Sequence, residues 1–228
     1  NGVNDARFRP VDNAGEIRHR VGLNGRKVLL TVGNLSERKA QDTVIRALPV
    51  VLARFPNTVY LVIGLPQRKA ELQALAEELG VSAAVRFLGA VPEEELVGYY
   101  NICDLFVLVS RKSRAGDVEG FGMAVLEAAA CGKASVVSRG CGLEEAVDHG
   151  RTGMIVPVDS PELTAQAIVR LLEDEDLRRR LEEEALRFAR SCTWQRRAER
   201  YDALLRELAG LHDASSRDFT HAALPARR

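Results

Sequence analysis

Short, continuous apolar runs rich in β-branched residues recur along the chain, with longer amphipathic stretches between them. The runs are Val28–Gly33, Val59–Gly64, Val85–Gly89, Leu105–Ser110, Ala134–Ser138 and Gly153–Val158, flanked by turn residues. Runs of this length without polar alternation fit strands covered on both faces. The segments between them carry helical spacing: Asp42–Phe55, Ala70–Leu79, Glu93–Asn101, Met123–Cys131 and Glu144–Val147. This alternation predicts an α/β fold, a Rossmann-like doubly wound parallel sheet of about six strands flanked by helices. Ligands of such sheets bind beyond the carboxyl ends of the strands, so the loops to inspect follow Val32, Leu88, Val109 and Ser138.

After Pro161 the pattern changes to three consecutive helices, Pro161–Glu173, Asp176–Arg190 and Thr193–Leu208. Leu177, Leu181, Ala185 and Phe188 form a helical stripe, which places the arginines of "LRRRLEEEALRFAR" on a solvated face rather than against an anionic membrane. From Gly210 the sequence loses all periodicity, and a flexible tail is expected over 211–228.

Charge narrows the function classes. Among 228 residues, 32 basic side chains balance 32 acidic ones, which argues against a nucleic-acid binder working through a basic face. Apolar content of 46% is enough for a sizeable core. Cys103, Cys131, Cys141 and Cys192 stand apart, with no C-x-x-C pair and no histidine nearby, and read as small thiols in a reducing compartment. No metal-ligand cluster is visible, and no apolar run approaches the roughly 18 residues of a membrane span. The chain begins Asn1-Gly2-Val3, without an initiator Met or signal peptide, and is read as a piece of something longer.

The candidate chemistry lies in "VEGFGMAVLEAAACGK", Val118–Lys133. Gly120 and Gly122 remove side chains where the backbone turns or a ligand approaches. The amides of Gly122, Met123 and Ala124 then stand at a helix N-terminus, where the dipole favours an anion such as phosphate. Glu127, among alanines on a packed helix, is an expensive place for an unpaired carboxylate and suits a ribose diol. Glu119, at the elbow, would accept from hydroxyls attached to the phosphates. Two carboxylates flanking a diphosphate site describe a nucleotide sugar; the bland alternative is a structural elbow with Glu127 favoured by the dipole.

"EGFGMAVLEAAACGK" resembles the E-x7-E motif of the retaining glycosyltransferase family 4, whose GT-B architecture has two facing Rossmann-like domains. The resemblance runs from Asn1 to about Leu208. "NGVNDARFRP" is similar to the crossover into the C-terminal domain, "VGNLSERKAQDTVIRAL" to the first strand, phosphate loop and helix, "VRFLGAVPEEEL" to the base-binding turn, and "CTWQRRAERY" to the final helix. The resemblance implies a crossover over 1–25, a nucleotide-sugar-binding domain over 26–190 and a C-terminal helix over 191–210, with the acceptor domain outside this chain. Glu127 then matches the glutamate that holds the ribose, and Glu119, with the Gly120–Gly122 backbone, the group that holds the donor sugar. Lys39 matches the lysine that neutralises the departing diphosphate; Ala90 and Val91 meet the base through their backbone. The implied donor-binding set also includes Gly33, Asn34, Arg38, Phe121, Met123 and Ala124, with Lys39 and Glu119 catalytic.

The family usually has arginine in place of Asn34 and glycine in place of Ala40. Arg38 is the nearest cation to make up the lost charge. Arg111, Lys112 and Arg114 of "SRKSRAGD" are read either as reaching an anion or as solvated loop charge. No cofactor is implied beyond the nucleoside-diphosphate sugar, which is a substrate. The implied acceptor is a glycan, lipid or small molecule held by the other domain, with no nucleic acid as partner. The implied location is cytoplasmic, with a peripheral position at a membrane's cytoplasmic face left open. The rivals are a GT-B epimerase or phosphorylase and a non-catalytic nucleotide-binding module.

Overall fold

A computed structural model of the chain describes residues 1–209; the tail expected over 211–228 lies outside them. Six parallel strands form one sheet: β1 (Lys27–Val32), β2 (Thr58–Ile63), β3 (Val85–Gly89), β4 (Leu105–Leu108), β5 (Ser135–Ser138) and β6 (Gly153–Val156). Their order is β3-β2-β1-β4-β5-β6, so the chain winds outward from β1 to one edge, then returns and winds to the other.

The strands are covered on both faces, as their unbroken apolar sequences require. Leu29, Tyr60, Val62, Leu105 and Val107 pack against helices α2 (Gln41–Arg54), α3 (Lys69–Glu78) and α6 (Pro161–Glu173). Val28, Leu30, Leu61, Phe106 and Leu108 point the other way, to α4 (Glu93–Ile102), α5 (Met123–Ala130) and the Ala185–Ala189 part of α7 (Glu175–Ser191). Adjacent residues on each strand thus feed opposite cores, the period-two consequence of the pleat.

Two differences from the sequence reading stand out. A helix, α1 (Ala14–Arg20), lies within the stretch read as crossover; it buries no residue, so it left no apolar stripe to find. The helix expected at Glu144–Val147 is a 3-10 turn, Gly142–Glu145, too short for an α-helical period. The last helix, α8 (Trp194–Leu208), is capped by Thr193, whose hydroxyl accepts from the Arg196 amide. It also buries nothing: Tyr201, Leu204, Leu205 and Leu208 are all exposed. Val3 bridges Thr193 and the Asn1 carbonyl accepts from Arg197, so the first residues run beside the start of α8.

No described helix is long and apolar enough to cross a membrane.

Candidate functional site

The sheet order reverses between β1 and β4, which opens a crevice beyond their carboxyl ends. The loops that follow these two strands are joined there by a backbone hydrogen bond from the Arg111 amide to the Arg38 carbonyl, 2.8 Å. Arg111 adds a second tie, donating to Asp42 Oδ2 at 2.7 Å and Thr43 Oγ1 at 2.8 Å and pairing with Asp159. It fastens the β4 loop to α2. Its neighbour Arg114 is 95% exposed and reaches only Glu37, while Lys112 is exposed.

Lys39, from the β1 loop, and Glu119, from the β4 loop, meet across this crevice. Lys39 Nζ lies 2.7 Å from Glu119 Oε2, and Arg38 Nη1 pairs with the same oxygen. The Ser110 hydroxyl stands 3.4 Å from it. Glu119 is buried, so its charge depends on these partners. Two cations share one carboxylate, and the surplus is positive.

The floor of the crevice is backbone packed on backbone. A Cβ at Gly64 would lie 2.2 Å from the Gly33 carbonyl oxygen, and one at Gly33 would lie 2.9 Å from Lys39 Cε. Gly142 sits so close beneath the elbow that its Cβ would meet the Gly120 oxygen at 1.7 Å, and its amide donates to the Glu119 carbonyl at 2.9 Å. The β4 and β5 loops are also joined by the Ser138 hydroxyl, which donates to the Ser110 carbonyl.

Gly122 turns the chain into α5 with φ of 78° and ψ of 61°, the left-handed region. No side chain caps this helix. The amides of Met123 and Ala124 therefore have no intrahelical acceptor and aim the positive helix end toward the crevice. Phe121 and Met123 pack partly into the core beside it.

Glu127 is one turn further along α5 and half-buried. Its Oε2 accepts from the Tyr100 hydroxyl at 2.6 Å. Burial pushes the Glu127 carboxyl above the usual glutamate value, and the Tyr100 hydrogen bond, with the charges of Arg7 and Lys39, pulls it part of the way back. Tyr100 itself is fully buried, and both burial and the neighbouring carboxylate hold its phenol well above its ordinary value. This tyrosine escaped the sequence reading. The only available signal was a buried-face aromatic whose hydroxyl must find a partner.

The remaining expected residues divide. Ala90 and Val91 follow β3 at the same carboxyl edge, where the Gly64 amide donates to the Gly89 carbonyl at 2.9 Å; Ala90 is exposed and Val91 half-buried. Asn34 is exposed and spends its side-chain oxygen on the Leu65 amide, 3.3 Å away, tying the β1 and β2 loops together. Arg38 and Lys39, further along that loop, both pair with Glu119. Ala40, where glycine was expected, does adopt positive φ, 49°. His149 accepts from the Ile155 amide through Nδ1 at 2.9 Å and holds its own turn.

Residues 14–188 match the family model described as Glycosyl transferases group 1. The chain belongs to this family. A group 1 relative from Mycolicibacterium smegmatis, named GDP-mannose-dependent alpha-(1-6)-phosphatidylinositol monomannoside mannosyltransferase, is 38% identical over 76% of this chain and 46% of its own length. A D-inositol 3-phosphate glycosyltransferase from Corynebacterium jeikeium is 38% identical over 91% of this chain and 50% of its own. The chain thus spans about half the length of these curated relatives. Among solved structures, Anabaena HepE in complex with UDP and glucose superposes with a TM-score of 0.79 at 23% identity, over 90% of this chain and 55% of HepE. That likeness shows the same Rossmann-like fold, in a protein crystallised with a nucleotide.

Proposed function

We propose that this chain is the donor-binding half of a retaining glycosyltransferase that moves a hexosyl group from a nucleoside-diphosphate sugar to an acceptor hydroxyl. The observation that carries the reading is the meeting of Lys39 and Arg38 with Glu119, beside the uncapped N-terminus of α5. A diphosphate seated there takes Lys39 and Arg38 as counterions and the Met123 and Ala124 amides as donors. Glu127 accepts from the ribose hydroxyls. Glu119 and the Gly120–Gly122 backbone face the sugar, and the Ala90–Val91 turn receives the base.

Transfer breaks the bond between the anomeric carbon and the diphosphate oxygen, and the electron pair leaves with the diphosphate. Lys39 and the helix amides are fixed where that charge develops, so they stabilise it without reorganising. The acceptor hydroxyl forms the new bond and gives up its proton. That hydroxyl is held by the part of the protein outside this chain. The uncovered apolar face of α8 supports the division, since a helix with its leucines in water suits a further surface. The relatives' names, with GDP-mannose and a phosphatidylinositol monomannoside in one and an inositol phosphate in another, support a hydroxyl on a glycolipid or polyol as the acceptor.

A thermal-shift panel of UDP-, GDP- and ADP-sugars tests the binding claim. A ligand at 100 times its dissociation constant adds about 2.7 kcal/mol of stability. No shift with any of the three would sink the reading. The chain alone is expected to transfer no sugar, because one wall cannot exclude water and orient an acceptor; measured transfer to an acceptor would show that the site is complete.

A further inference from the structure

We infer that Tyr100 is the positioning residue that makes this site select ribonucleotides over their 2′-deoxy counterparts. The inference rests on the reading that Glu127 holds the ribose. Its own support is the geometry around Glu127. The Tyr100 hydroxyl, on α4, donates to Oε2 at 2.6 Å, the short separation of a bond to a charged oxygen. Among the described residues, no hydrogen bond reaches Oε1. One oxygen is anchored and the other is left for the ligand.

The anchor is rigid. Tyr100 has no solvent exposure, and its ring lies edge-on to Phe8 with centroids 5.8 Å apart and tilted against Phe106 at 5.7 Å. A glutamate on an alanine-rich helix has three side-chain torsions and would otherwise sample several rotamers. Held through Oε2, it offers one oxygen in one place. A ribose diol has two hydroxyls to give; a deoxyribose has one. The preference for the diol depends on the carboxylate staying ionised and fixed, since a protonated or wandering acid accepts less well from the second hydroxyl.

The charge environment supports the same role. The groups facing Glu127 are Tyr100 from α4, Arg7 from the leading segment and Lys39 from the β1 loop, with Cys131 further along its own helix. Burial raises the Glu127 carboxyl, and the Tyr100 bond is foremost among the influences lowering it. Removing the hydroxyl therefore moves the acid limb of nucleotide binding to higher pH. A merely packed tyrosine would not move it.

The test compares UDP, GDP and ADP with their 2′-deoxy forms by calorimetry on the wild-type chain and on Tyr100→Phe, Glu127→Gln and the double variant. Phenylalanine keeps the ring stack, and thermal unfolding checks that the fold survives. Wild type is expected to prefer the ribonucleotide about tenfold or more. Tyr100→Phe should weaken ribonucleotide binding about three- to tenfold, leave the deoxy form nearly unchanged, and shift the acid limb upward. In the Glu127→Gln background the tyrosine change should have little further effect. An unchanged ribo-to-deoxy ratio and pH profile in Tyr100→Phe, with the ratio lost in Glu127→Gln, would overturn the role of Tyr100 alone. A wild type that binds none of these nucleotides, or that shows no ribose preference, would overturn the reading of Glu127 together with it.

Discussion

Glu119 and Glu127 stand eight residues apart in one motif, yet their surroundings are opposite. Glu119 is buried with two cations on one of its oxygens; Glu127 is half-buried and leans on a neutral phenol. The first carboxylate occupies the charges that the proposed diphosphate would need. The second has a phenol rather than a cation on its oxygen. In sequence the two carboxylates read as binding different parts of a donor, and with such different partners they should respond to substitution in different directions.

The largest expected effect lies with the partner of Glu119. Lys39→Ala removes the charge aimed at the leaving diphosphate and should lower sugar transfer by the full-length protein about 100-fold or more, chiefly in kcat. Steady-state kinetics with a hexosyl donor check this, and a change confined to KM would mean that Lys39 binds without assisting departure. Glu127→Ala should cost about 1.5–3 kcal/mol of nucleoside diphosphate affinity by calorimetry, with or without the sugar attached. Glu119→Gln should do the reverse for free diphosphate. Released from their carboxylate, Lys39 and Arg38 are expected to bind it about 1 kcal/mol more tightly, an advantage that fades in high salt, while the extra affinity for the sugar conjugate is lost. Equal losses in both glutamate variants would erase the distinction between them.

Stability sharpens the contrast at smaller magnitude. A carboxyl whose folded value lies above its unfolded one holds its proton more firmly when folded. Its ionisation therefore costs stability, a cost that is absent at low pH and complete once pH exceeds the folded value. Glu127→Gln should accordingly raise the melting temperature at neutral pH, with the gain shrinking as pH falls into the ordinary glutamate range. Beside the other glutamate's cations, Ala40 sits in left-handed backbone with φ of 49°. Ala40→Gly should relieve strain of about 1 kcal/mol, less the added freedom of the unfolded glycine. Chemical denaturation reads the net gain, and a loss would show that the buried methyl matters more than the backbone.

The sheet and its crevice were legible because Val28–Gly33 and Leu105–Ser110 are too short and too apolar to be anything but doubly covered strands. Glu119 and the α5 N-terminus were legible from residue type and spacing, whereas Lys39 was found only through the family resemblance. What was not legible is who partners whom. Arg38 and Arg111 are both loop arginines, and only the fold sends one to Glu119 and the other to Asp42. Asn34 read as a weakened phosphate ligand, while its oxygen serves Leu65. Tyr100 gave no periodic signal, since it follows Tyr99 and its neighbour in space is 27 positions away. The helix α1 buries nothing and so wrote nothing into the apolar pattern.

The backbone-on-backbone floor has a consequence for anyone building mutant libraries. Any side chain at Gly64 or Gly142 collides with a carbonyl oxygen, at 2.2 and 1.7 Å respectively, so these positions form a zone where nearly every variant is lost with its fold. Lys112, Arg114, Val118 and Ala90, in the loops after β4 and β3, are exposed. A substitution that falls on either glycine is expected to cost the clone its fold. Saturating these exposed positions alone leaves the floor untouched, so such a collection should contain a higher share of folded clones than an untargeted one of the same size.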